Sequence, residues 1–152
     1  MTSTMDVDVS FALPTQTSSV PVMRECVGKV LHALGLDDER VFRLLTAASE
    51  ACANAVEHND GAREYRVEVS ADEQRCRIAV SHRGRGFSVP PPRPPGPDAE
   101  SGRGLPLMRG LVSEVEVRTP PPGRPGRTTV LLTEELRPGG RDAPGPRLPV
   151  TS

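Results

Sequence analysis

Glu50, Asn54 and His58 recur every fourth residue in EACANAVEH, residues 50–58. On a helix that spacing stacks one residue per turn, so a carboxylate, a carboxamide and an imidazole share a row. The Asn54 oxygen is a hard ligand suited to Mg²⁺, which keeps several waters and takes few protein groups. Glu50 can accept a proton from an attacking hydroxyl or orient a bound water. Taken alone, E-x-x-x-N is more often a solvated helix face than a site. Three glycine-bearing segments follow it: HRGRGF (82–87), SGRGL (101–105) and GRTTV (126–130). Gly84 and Gly86 come directly after a strand pattern, where glycine permits a tight turn and close backbone approach. Gly102, Arg103 and Gly104 precede a short helical pattern whose first N–H groups can receive phosphate oxygens, with Arg103 adding charge. Each piece has a bland reading as a turn, a hinge or a loop-to-strand junction. Their order, and their places at element ends, describe a site for a nucleotide phosphate and its magnesium.

The elements that must position these residues follow from hydrophobic period. DVDVSFAL (6–13) partly alternates and predicts a strand, which Pro14 ends. Val20, Met23, Val27, Val30, Leu31 and Leu34 recur at helical spacing. Ser18 or Ser19 can cap that helix and Gly35 stops it. A second helix starts at Asp37 or Asp38, carries Val41, Leu44, Leu45, Ala48, Cys52 and Ala55 on one stripe, and ends at Asn59-Asp60-Gly61. At 100° per residue Glu50 points about 180° from that stripe, and Ala47, Ala51 and Ala53 leave room for something to approach. Tyr65, Val67 and Val69, then Cys76, Ile78 and Val80, predict a hairpin around residues 71–74. PPPRPPGP (90–97) can be neither helix nor central strand. A short helix over 104–111 and strands over 115–118 and 128–133 complete the pattern, with a Pro/Gly-rich loop at 120–126. Strands and helices that do not alternate strictly predict an α+β, two-layer sandwich with a mostly antiparallel sheet and helices on one face. The expected organisation is an extension over 1–7, one domain over 8–136, and a disordered Pro/Gly/Arg-rich tail over 137–152.

Composition narrows the function. The 152 residues suffice for one domain with a core. The formal net charge is −1, which argues against a nucleic-acid binder driven by bulk charge. Cys26, Cys52 and Cys76 are odd in number and widely spaced, without a zinc-type pair, and predict buried reduced thiols in a cytoplasmic protein. No apolar run approaches the ~20 residues of a membrane span, and the N-terminus lacks the pattern of a secretory signal.

Taken together, EACANAVEH, HRGRGF, SGRGL, GRTTV and the opening FALPTQTSSVPVMRECVGKVL resemble the anti-sigma-factor serine kinase family, over roughly residues 8–134. That family lies within the gyrase, chaperone, histidine-kinase and mismatch-repair ATP-binding superfamily. The resemblance implies a Bergerat-type fold with Asn54 on Mg²⁺ and Glu50 as general base. It implies Gly84, Gly86, Gly102, Arg103 and Gly104 along the nucleotide, and Thr128 at the base end. It also implies a sigma factor and a small anti-anti-sigma (STAS) protein as partners, the second being phosphorylated on Ser or Thr, and a homodimer. With no phosphoacceptor helix pair seen ahead of the domain in this sequence, a full sensor histidine kinase is not the expectation.

One residue departs from the family pattern. His82 stands where the family's aspartate accepts a hydrogen bond from the adenine amino group. Losing that charge-assisted bond costs about 1.5–3 kcal/mol, roughly ten- to hundredfold in affinity. Four outcomes follow. A neutral His82 accepts from adenine through a ring nitrogen, so weak Mg-ATP binding survives. The pocket is empty and the chain is a binding scaffold. His82, with Arg83 beside it, donates to a base carbonyl, and the ligand is a non-adenine nucleotide or nucleotide sugar. Or His82 is a tolerated surface turn residue. The reading adopted from the sequence is an anti-sigma-type regulator that works by nucleotide-modulated protein binding, with an active serine/threonine kinase as the alternative.

Overall fold

The computed structural model describes residues 6–84, 104–121, 124 and 126–136. Five strands and three helices run in the order β1 (Val7–Pro14), α1 (Ser19–Ala33), α2 (Asp38–His58), β2 (Glu64–Ala71), β3 (Arg75–Arg83), α3 (Gly104–Leu111), β4 (Glu114–Arg118) and β5 (Arg127–Glu135). The strands form one antiparallel sheet in the order β1-β2-β3-β5-β4. Helix α2 packs on β3 and β5, α1 on α2 and β1, and α3 on α2 and β4. This is the two-layer α+β sandwich that the order of strands and helices predicts.

Period 2 sets which sheet face is covered. Leu13, Tyr65, Val67, Val69, Cys76, Ile78, Val80, Val130 and Leu132 are buried under the helices, while the residues between them point outward. Pro14 is the last residue of β1, paired with Glu64. Its missing N–H is tolerated because β1 is an edge strand.

The helix ends show what local sequence decides. Asp37 caps α2 by accepting from the Arg40 N–H at 2.8 Å. Gly35 takes φ +92°, the left-handed turn that ends α1. The serine cap expected on α1 does not form: Ser18 occupies the position without a side-chain bond. Ser19 is instead buried and shares a 2.7 Å hydrogen bond with the Tyr65 hydroxyl. Satisfying a buried phenol outweighs capping, because an unpaired buried hydroxyl costs about 1–3 kcal/mol.

Two further expectations need correcting. Ala47 and Ala51 are fully within the core rather than lining an approach to the polar row; of the three alanines, only Ala53 is exposed. Helix α2 meets α1, α3 and the sheet, so its buried face is broader than one stripe. Cys52 and Cys76 are buried, but Cys26 is only half-buried. Burial pushes the Cys52 and Cys76 thiols up to about 12, which leaves both protonated and inert.

Candidate functional site

Glu50, Asn54 and His58 do lie on one side of α2, and all three are half-buried. A four-residue repeat drifts by about 40° per step against the 3.6-residue turn. The row therefore slides from the outer side of the helix at Glu50 toward the sheet at His58. It spans about 12 Å along the axis, so its carboxylate end and its imidazole end serve separate places. The side chains of Glu50 and Asn54 make no hydrogen bond or ion pair among the described residues.

His82 is not a surface turn residue. It lies on β3, 3 % exposed, on the helix-facing side of the sheet. The alternation Cys76, Ile78, Val80 continues to position 82, and this signal in the sequence places the ring inward. Directly opposite on β5 is Thr128, which is 0 % exposed. Its hydroxyl finds no hydrogen-bond partner among the described residues. Burial holds His82 well below the usual imidazole range, at about 4, and the nearby His58 and Arg127 push it the same way. The ring is therefore neutral near pH 7, with one nitrogen to donate and one to accept.

Backbone bonds lock the end of α2 to the ends of β3 and β5. The Asp60 N–H donates to the Arg83 carbonyl at 3.1 Å, and the Gly84 N–H to the Gly126 carbonyl at 2.9 Å. Asn59 Oδ1 accepts from the Gly61 N–H at 2.9 Å, and Gly61 takes φ +79°. Gly84 has no such conformational need. A Cβ there would lie 3.4 Å from the His58 carbonyl oxygen and 3.6 Å from His82 Cδ2, in ordinary contact. The glycine keeps the wall beside His82 thin. Gly126 is different, because a Cβ would come within 2.8 Å of Pro120. Gly104 is the first residue of α3, while Gly86, Gly102 and Arg103 lie outside the described residues, as do the proline run and the tail.

The structure thus brings together His58, His82, Gly84 and Thr128. Asn54 and Glu50 stand one and two turns further along α2. Among the described residues no group of three or more His, Cys, Asp or Glu side chains could hold a metal ion. A single amide oxygen with waters remains a donor set that fits Mg²⁺. Sequence reasoning did not foresee Glu134, a buried carboxylate that ties α2 and the turn after α3 to β5. Its one sequence signal is an acid in an inward register of β5.

Residues 13–133 match the model of the histidine kinase-like ATPase domain. A serine-protein kinase RsbW of Bacillus pumilus is 32 % identical over 135 residues, covering 78 % of this chain and 82 % of that protein. The chain belongs to this RsbW-like family of histidine kinase-like ATPase domains. The RsbW of Bacillus subtilis strain 168 is 28 % identical over 123 residues, covering 72 % of this chain and 77 % of its own. Among solved structures, the RsbU and RsbW domains of a Mycobacterium tuberculosis protein superpose with a TM-score of 0.64 at 22 % identity. That match covers 84 % of this chain and 32 % of the longer one, and it speaks for the fold. Among the described residues no helix is long and apolar enough to cross a membrane.

Proposed function

We propose that this RsbW-like chain is an anti-sigma-type regulator whose grip on a sigma factor and on an anti-anti-sigma partner is set by a nucleotide held beneath α2. One observation carries this reading. The floor of the site is polar and buried, with a neutral His82 facing a Thr128 hydroxyl that has no partner among the described residues. A relic pocket has no reason to keep such a pair, since a buried unsatisfied hydroxyl costs about 1–3 kcal/mol. A nucleobase edge would satisfy it.

Unlike an aspartate, His82 and Thr128 offer both donors and acceptors. The pair suits a base carbonyl as well as an adenine amino group, so the ligand is either Mg-ATP or a non-adenine nucleotide. Asn54 would hold Mg²⁺, and the metal would draw the phosphates toward the start of α3 at Gly104. A second reading, phosphate transfer to a partner Ser or Thr, is favoured by Glu50. Its carboxylate sits one turn from Asn54 and is committed to no other described group, as a general base requires.

Calorimetric titration with Mg-ATP, GTP, UTP and a UDP-sugar tests the proposal. Saturable binding of one of them, weakened at least tenfold in Asn54→Ala, is the expected result. ATP as that ligand opens the kinase reading, which then requires Glu50→Ala to abolish transfer to the partner. Silence from the whole panel sinks the nucleotide-gated reading and leaves a protein-binding scaffold.

A further inference from the structure

Successive side chains on β3 and β5 alternate faces, so the neighbours of His82 and Thr128 point away from the helices. Those neighbours are Arg83 and Arg127, and they are direct cross-strand partners. Like charges placed opposite each other weaken a sheet. Arg66 shares this outer face, since its partner on β3 is Ser81, and Arg63 leads into β2. All four arginines are exposed, and together they line one recess of about 420 Å³ at this end of the sheet.

Elsewhere the chain neutralises four of its described arginines, though Arg24, Arg77, Arg109 and Arg124 form no ion pair among the described residues. Arg40 and Arg43 meet Glu134, Arg75 meets Glu135, and Arg118 meets Glu116. In the recess Arg63, Arg83 and Arg127 form no ion pair among the described residues, and Arg66 donates to Ser10 Oγ at 2.9 Å. Glu64 also lines the recess without pairing to any of them. Four exposed guanidinium groups, none of them ion-paired among the described residues, line this recess on a chain whose net charge is −1. Guanidinium forks match carboxylates two bonds at a time.

We propose that this four-arginine recess, formed by β2, β3, β5 and the approach to β2, docks a carboxylate-rich segment of a partner protein. The surroundings favour a short acidic peptide over a nucleic acid. Asp8, Glu68 and Glu116 lie on the same outer face and would repel a phosphate backbone running across it. The recess lies on the opposite side of the sheet from His82, so the proposal does not depend on which nucleotide binds, or on whether one binds.

The test is fluorescence anisotropy of a labelled hexaglutamate peptide titrated with the full chain at low and at physiological salt. The peptide is expected to bind with an affinity that falls as salt rises. Arg83→Gln with Arg127→Gln is expected to weaken binding tenfold or more, with a melting temperature unchanged or raised because the facing charges are gone. Arg118→Gln, which disrupts an existing ion pair, is expected to change nothing. Glu64→Gln is expected to tighten binding and decides the matter if the double variant fails to fold. Unchanged affinity in the double variant overturns the proposal, as does an unchanged affinity in Glu64→Gln. A short DNA duplex that outcompetes the peptide at physiological salt would reassign the recess to nucleic acid. A wild-type dimer that the double variant dissociates, seen by sedimentation, would reassign it to a second copy of the chain.

Discussion

Near pH 7 the His82 imidazole is neutral, because burial, His58 and Arg127 all oppose the proton. The same environment makes the residue a liability in acid. An unfolded chain titrates this ring near 6.5, and the folded one near 4. Between those values the unfolded state binds more protons, so stability rises with pH and is lost as pH falls. The loss begins below about 6.5 and is complete below about 4. A shift of that size corresponds to about 3 kcal/mol. Carboxylates titrate in the lower part of the same window, so the measurement is a difference: urea denaturation of the wild type and of His82→Gln across the pH range. The gap between the two should move by up to about 3 kcal/mol against the wild type on acidification. Parallel profiles would mean that His82 does not stay neutral in the folded protein. A bound base that donates to the ring would lose its acceptor nitrogen to the same proton, which ties ligand affinity to this titration.

At the scale of elements, the site depends on holding α3 and α2 in place over β5. Glu134 does much of this. One carboxylate oxygen accepts from the Ser113 N–H at 3.1 Å and the Ser113 hydroxyl at 3.2 Å. The other lies 3.3 Å from Arg43 Nη2 and 3.6 Å from Arg40 Nε. Arg43 Nε also donates to the Leu111 carbonyl, 3.2 Å away at the end of α3. Removing the acid takes from Arg40 and Arg43 the carboxylate they share in a partly buried place, while Arg43 keeps Glu39 at 3.0 Å, so Glu134→Ala should cost about 3 kcal/mol. Arg43→Ala should cost less on the Glu134→Ala background than alone, because the two act through one network. Additive losses in chemical denaturation would show that they do not. This network also marks where sequence reading stops. Strand and helix positions were legible because period 2 and period 3.6 are local, and so was the polar row of Glu50, Asn54 and His58. The roles of Glu134, Ser19, Ala47 and Ala51 were not, since each is fixed by a partner more than forty residues away or by packing on several sides. His82 falls between: its inward orientation follows from the alternation of β3, but its pairing with Thr128 needed the strand order, which places β5 beside β3 ahead of β4.

For the whole molecule, the three cysteines report how the layers come apart. Cys52 faces the sheet from α2 and Cys76 faces the helices from β3, both with 0 % exposure. Neither can meet an alkylating reagent until the two layers separate. Cys26 is half-buried on α1, and access alone should make it react first. Mass spectrometry of the native protein with iodoacetamide should therefore show one fast addition and two slow ones that arrive together. Where closing is fast relative to alkylation, the slow rate follows the population of the open state, and so follows stability. A ligand that binds only the closed molecule lowers that population by the factor 1 + [L]/Kd. At a hundred times its Kd, the true nucleotide should slow the paired addition about a hundredfold while leaving Cys26 nearly untouched. The experiment requires no partner protein and no activity, so it separates the proposed nucleotide binding beneath α2 from the proposed phosphate transfer through Glu50. A nucleotide that binds by calorimetry yet leaves the slow rate unchanged would have to bind the opened molecule as well as the closed one, and could not then gate a surface that only the closed molecule presents.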